Sequence, residues 1–205
     1  MSRSRGSDLR RIIAGLQLPA APVHALVVQR PVLAIAIRGE IGRQVTAEAF
    51  ERALKLADDP AIIEVSIDSP GGSVAVERRI SALIRTERER GRHVRTVARG
   101  VCASSAIMIF GEGTERFASR SCKFLIHSCA LSAMEAVKPI QGHRVTSHVL
   151  AGAAQMLREI DEENALRLAA RTGLPIERFR REASTETAIN ARTAQALGLV
   201  HRITD

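Results

Sequence analysis

The sequence predicts an α/β fold of parallel strands alternating with helices. Two short runs rich in β-branched residues, PVLAIAI from Pro31 and IIEVSI from Ile62, read as buried strands. Each leads into glycine-bearing turn residues and then into a stretch whose apolar positions recur at helical spacing. Strand, turn and helix in repeated succession imply parallel strands joined by right-handed crossovers.

The elements follow in order. After Gly39, Thr46 is expected to cap a helix over TAEAFERALKLADD, with Phe50, Leu54 and Leu56 toward the core. The strand Ile62 to Ile67 ends at Asp68-Ser69-Pro70-Gly71-Gly72, and a helix from about Ser73 to Arg90 is stopped by Gly91. The third unit is a strand from His93 to Val97, a glycine at Gly100 and a small-residue helix from about Ala103 to Phe110. Arg116 to Ala118 and Cys122 to Ile126 read as further strands, the second ending at His127. Beyond a loop through Pro139 and Gly142, a long helix is expected from Thr146 to Ala170, with Leu150, Met156, Ile160, Leu166 and Leu168 as its apolar positions. Thr172-Gly173-Leu174-Pro175 stops it and starts a short helix; a last helix, Ala191 to Leu197, ends at Gly198 before a strand from Leu199 to Ile203.

A chain of 205 residues with 45% hydrophobic content supports one well-buried domain, expected over 24–205, behind a basic N-terminal segment over 1–23. The aromatic share is 2%, with no Trp or Tyr, so aliphatic side chains fill the core and a reading that needs base-stacking platforms is weakened. The net charge of +8 would suit an anionic partner, but Arg and Lys are interleaved with acids in RTERERGR and ERFRRE, the pattern of solvated helix faces. No nucleic-acid or membrane partner is expected. The basic start is not followed by an unbroken apolar stretch, so neither a secretory signal nor a membrane span is expected. Three cysteines, Cys102, Cys122 and Cys129, lack metal-ligand pairing and read as small reduced thiols of a cytoplasmic protein.

In an open parallel sheet, reactive groups collect at the carboxyl ends of strands. Three candidates occupy such ends. In DSPGGS, Gly71 and Gly72 let the backbone approach a ligand and aim N–H groups at a negative oxygen, or they form an ordinary turn. In Gly100-Val101-Cys102-Ala103-Ser104-Ser105, the Ser104 hydroxyl is either held out as a nucleophile or spent as a helix cap. His127, directly after CKFLI, is a general base or a structural histidine. Together they supply the nucleophile, base and oxyanion donors that acyl transfer needs.

The order SPGG, G-x-x-A-S opening a helix, an apolar strand ending in Ile126-His127, and A-x-x-A-x-x-x-G-L-V near the end resembles the ClpP-type serine proteases from about Val32 to Ile203. The phage and prophage branch is the most similar. The resemblance implies a crotonase-like α/β fold of stacked ββα units, with a protruding handle helix over about 140–172. It implies peptide-bond hydrolysis through an acyl-enzyme on Ser104, with His127 as base and the Gly72 and Ser105 N–H groups as the oxyanion hole. Counting back from Gly198 puts Glu186 at the position of the third triad member, where the family usually has aspartate. Polypeptide substrates, a homo-oligomeric ring, no metal or organic cofactor, and ATP used only by a separate unfoldase are implied as well. The chain departs from the family in Ser128-Cys129, where Gln-Pro usually follows the histidine, and in Ser184-Thr185, where many members carry an acid–Arg pair. Two rival functions are a catalytically inactive ring subunit, which would not react at Ser104, and a crotonase-type acyl-CoA enzyme, which would turn over thioesters and not peptides.

Overall fold

The computed structural model describes residues 31–57, 60, 62–129, 147–186 and 188–205. The basic segment 1–23, the Pro139–Gly142 loop, Thr146 and the start of the expected handle lie outside these residues.

Strand β1 (Val32–Arg38) alternates exposed and buried positions, with Leu33, Ile35 and Ile37 facing the core. Helix α1 (Ala47–Leu54) starts where the Thr46 hydroxyl accepts the Ala49 N–H at 3.2 Å, and it buries Phe50 and Leu54. Leu56, expected in the core, is 81% exposed, because the helix ends at Leu54 and the following turn carries Leu56 outward. Strand β2 (Ile62–Ser69) leads through the SPGG turn to Ser73, whose hydroxyl caps α2 (Val74–Glu89). Strand β3 (His93–Ala103) feeds α3 (Ser105–Gly111), and β4 (Glu115–Ser119) and β5 (Lys123–Leu125) follow. The long helix α4 (Ser147–Thr172), α5 (Ile176–Thr185), β6 (Ile189–Asn190), α6 (Ala191–Ala196) and β7 (Arg202–Thr204) complete the chain.

The sheet runs β1-β2-β3-β4-β7 with every neighbouring pair parallel. Strand β3 has two partners on the same side: β4 pairs with Arg95 to Ala98 and β5 with Val101 to Ala103. Strand β6 then joins β5 antiparallel.

Two strands differ from their expected limits by three residues or more. The third, expected to stop at Val97, continues through Gly100 to Ala103. The Asp68 carboxylate accepts the Val101 N–H at 2.8 Å and lies where a Cβ on residue 100 would stand, 2.6 Å away, so glycine keeps the strand going across a register shift. The last strand begins at Arg202, not Leu199; Leu199 and Val200 are buried in the connection from α6.

Helix α4 is fixed to the head by a buried ionic cluster. Glu77 and Glu112 are 1% and 2% exposed. Arg167 of α4 reaches Glu77 at 2.7 and 3.2 Å and Glu112 at 3.3 Å, while Arg171 and Arg85 also bond Glu112 and the Ser81 hydroxyl donates to Glu77. Removing one partner of such a cluster strands a buried carboxylate. Arg167→Ala is therefore expected to lower unfolding stability by about 3–5 kcal/mol, read from the denaturant midpoint, whereas Arg78→Ala on the exposed Glu163 pair should cost less than about 1 kcal/mol. Toward its N-terminus α4 leaves the head, and Val149, Leu150 and Met156 stand about half exposed.

Candidate active site

Ser104 occupies the turn between β3 and α3. Its φ of 54° and ψ of −131° put a non-glycine residue in a region that costs about 1–3 kcal/mol, and the surroundings hold it there. The Ser104 N–H donates to the Leu125 carbonyl at 2.9 Å, and the Ser104 carbonyl accepts the Ile107 N–H at 2.9 Å. The hydroxyl makes no capping bond to the helix it precedes, so the cap reading of this serine does not hold. A strained strand-to-helix turn of this kind projects a hydroxyl away from the backbone.

The SPGG turn lies against this serine. A Cβ on Gly71 would stand 2.6 Å from the Ser104 Cβ and 2.7 Å from the Ala103 carbonyl oxygen. Gly72, with φ 139°, forms a bridge with Ile41 in which Ile41 N–H donates to the Gly71 carbonyl and Ser73 N–H donates to the Ile41 carbonyl, both at 2.8 Å. This bridge makes no use of the Gly72 N–H. Ser105 begins α3, where a backbone N–H has no helical acceptor, and its hydroxyl donates to the Gly72 carbonyl at 3.2 Å. The two candidate oxyanion donors are thereby tied together.

His127 follows β5 by one residue past Ile126. The Ala103↔Leu125 pairing and the Ser104 N–H bond bring the ends of β3 and β5 side by side, which sets His127 near Ser104. Both residues line two cavities. One, of about 300 Å³, is walled by Ile107, Met108, Ile126, Leu168 and Phe179; the other, of about 620 Å³, runs past Ile41, Gly72 and Met156. No hydrogen bond joins Ser104 to His127 among the described residues. Instead, His127 Nδ1 lies 2.6 Å from the Ser128 carbonyl oxygen. A carbonyl only accepts, so Nδ1 carries the hydrogen, an arrangement that in the neutral ring leaves the lone pair on Nε2.

Glu186 caps the C-terminus of α5 with φ 48° and is exposed. It and Ser104 are the two non-glycine residues with positive φ among those described. The structure does not bring its carboxylate into contact with His127. The sequence reading also missed Asp161 on α4, whose carboxylate accepts the Cys129 N–H at 2.6 Å, and the apolar wall formed by Leu168 and Phe179. Neither has a motif, because both reach the site across the fold from helices remote in sequence.

The cysteines are held neutral. Burial, with the nearby Cys122, pushes the Cys102 thiol well above its ordinary value; burial and Asp68 push Cys122 up to about 12. Burial, then the hydrogen bond and charge of Asp161, push Cys129 up to about 12. Thiols in this state are poor nucleophiles. No helix among the described residues is long and apolar enough to cross a membrane.

Comparison with known proteins gives the fold and the family. The solved structure of a point mutant of ClpP1 from Listeria monocytogenes superposes with a TM-score of 0.67 at 22% identity, covering 84% of this chain and 91% of that one, which shows the ClpP/crotonase-like fold. The ATP-dependent Clp protease proteolytic subunit 1 of Bifidobacterium longum (strain NCC 2705) is 29% identical over 154 residues. That match spans 73% of this chain and 60% of the relative's length. The family described as Clp protease matches residues 23–205, nearly the whole chain and every strand end discussed above, so the chain belongs to the Clp protease family.

Proposed function

We propose that the protein is a serine-type endopeptidase that cleaves peptide bonds through an acyl-enzyme on Ser104. The observation that carries this reading is the uncapped, strained Ser104 hydroxyl at the junction of two cavities shared with His127, beside the Gly72 and Ser105 N–H groups. In the reaction, Ser104 Oγ adds to the scissile carbonyl while His127 Nε2 takes its proton. The Gly72 and Ser105 N–H groups receive the developing oxyanion, and His127 returns the proton to the leaving amine. Water then repeats the sequence to free the acid. The smaller cavity, with its aliphatic and Phe179 walls, suits an apolar side chain next to the scissile bond. None of these steps calls for a metal or organic cofactor.

Glu186 is proposed to orient His127. Strands β5 and β6 pair Lys123 with Asn190 and Phe124 with Ile189, so the strand that begins three residues after Glu186 runs beside the one that ends two residues before His127. Contact requires Nδ1 to leave the Ser128 carbonyl and the exposed carboxylate to turn inward. Glu186→Gln is expected to lower kcat/KM for a fluorogenic peptide at least about 100-fold; undiminished turnover would remove Glu186 from the mechanism.

By likeness to the Bifidobacterium protein, named as the proteolytic subunit of an ATP-dependent protease, the chain is proposed to work as a cytoplasmic ring of identical subunits. A separate ATPase would supply unfolded polypeptide. The half-exposed Val149, Leu150 and Met156 of α4 favour a subunit interface on the handle. The absence of a Ser104–His127 hydrogen bond among the described residues of the single chain favours one further reading, a site that closes on assembly. Peptidase activity that tracks the ring fraction in sizing experiments is expected, and full activity in a monomer would contradict it.

A further inference from the structure

The peptide unit between Ser128 and Cys129 is held at both ends. Its carbonyl receives His127 Nδ1–H at 2.6 Å, and its N–H donates to Asp161 Oδ1 at 2.6 Å. The two bonds lie on one planar amide, so the direction of one fixes the direction of the other. A short bond to a carboxylate is of the strong, charge-assisted kind, and polarising the amide at its N–H makes its carbonyl a better acceptor.

The surrounding charges single out Asp161. Glu162 is paired with Arg180 of α5 at 2.5 Å, Glu163 with Arg78 of α2, and Glu77 of α2 with Arg167. Arg158 of α4 lines the same cavity. Among the described residues, Asp161 alone in this acidic run bonds the backbone of the segment that carries the base. One turn along, Asn164 Nδ2 donates to the Cys129 sulfur at 3.8 Å, so one face of α4 grips Cys129 by both backbone and side chain.

We infer that Asp161 is a positioning residue for His127, acting through the Ser128–Cys129 peptide to hold the ring in its Nδ1–H tautomer and thereby linking α4 to the general base. The inference rests on the reading of His127 as base. Nδ1 has one hydrogen, so the two residues act in turn: Asp161 sets the Nδ1–H tautomer while the Ser128 carbonyl holds it, and Glu186 would take that hydrogen bond once Nδ1 has left the carbonyl. Because α4 is also the helix with the exposed apolar residues, its movement on assembly would be felt at His127 through this amide.

The test is 15N NMR of the histidine rings at about pH 9, well above the ordinary histidine pKa, in the full chain and in a Ser104→Ala background so that the readout does not depend on turnover. His127 is expected mainly as the Nδ1–H tautomer. Asp161→Ala should raise the Nε2–H population severalfold, with Asp161→Asn, which keeps an acceptor without the charge, in between and folded as judged by melting. With Ser104 present, Asp161→Ala should slow acylation by a fluorophosphonate about 10- to 100-fold. Unchanged tautomer populations in both variants would overturn the inference even if the parent protein acylates normally. A tautomer shift in a protein that never acylates would support the role of Asp161 and defeat the peptidase reading.

Discussion

Ser104→Ala is expected to reduce peptide hydrolysis by at least about 10⁴-fold, to a residue set by binding and the oxyanion donors. The fold should survive, since the Ser104 hydroxyl makes no capping bond and the backbone bonds to Leu125 and Ile107 need no side chain. His127→Ala should fall to a similar level. Because nucleophile and base act as one unit, the double variant should be little worse than either single one. Hydrolysis by Ser104→Ala at about a tenth of the parental rate, far above what binding and the oxyanion donors leave, would mean that the chemistry lies elsewhere.

The second large effect is expected at Gly72. An alanine Cβ there would stand 2.2 Å from the Ile41 carbonyl oxygen and 2.9 Å from the Ile41 nitrogen, both of them backbone atoms with no flexible end to yield. The φ of 139° is also one that side chains rarely adopt. The turn must open, which breaks the paired bonds to Ile41 and displaces the Gly72 N–H proposed to receive the oxyanion. Loss of one oxyanion donor slows acylation by about 10²–10³. Gly72→Ala is therefore expected to label with a fluorophosphonate at least about 100-fold more slowly while remaining folded enough to melt cooperatively. A parental labelling rate would exclude Gly72 from the oxyanion hole.

Much of the fold is legible in the sequence because local chemistry and tertiary packing agree. Strands β1 and β2 stand out as short runs rich in β-branched residues, and Thr46 caps its helix as expected. Strand β3 reads short because glycine normally interrupts a strand; the Asp68 carboxylate that requires Gly100 comes from a neighbouring strand and leaves no local mark. Leu56 has the periodicity of a core residue, but the helix ends before reaching it.

The site divides in the same way. Gly72, Ser104, Ser105 and His127 lie at strand ends and helix starts, where their type and order carry meaning, and the structure gathers them around one pair of cavities. Glu186 is indicated by spacing, and the structure leaves it exposed at the end of α5. Asp161 is invisible to the sequence because its partner is a backbone N–H, available at Cys129 where the related proteases usually carry proline.

The most direct measurement is mass spectrometry of the protein after reaction with a fluorophosphonate, with the modified peptide mapped. A single adduct on Ser104, absent in Ser104→Ala and strongly reduced in His127→Ala, is the predicted result. An unmodified protein, or an adduct that persists when Ser104 is replaced, would contradict the assignment of Ser104 and His127 as the catalytic pair.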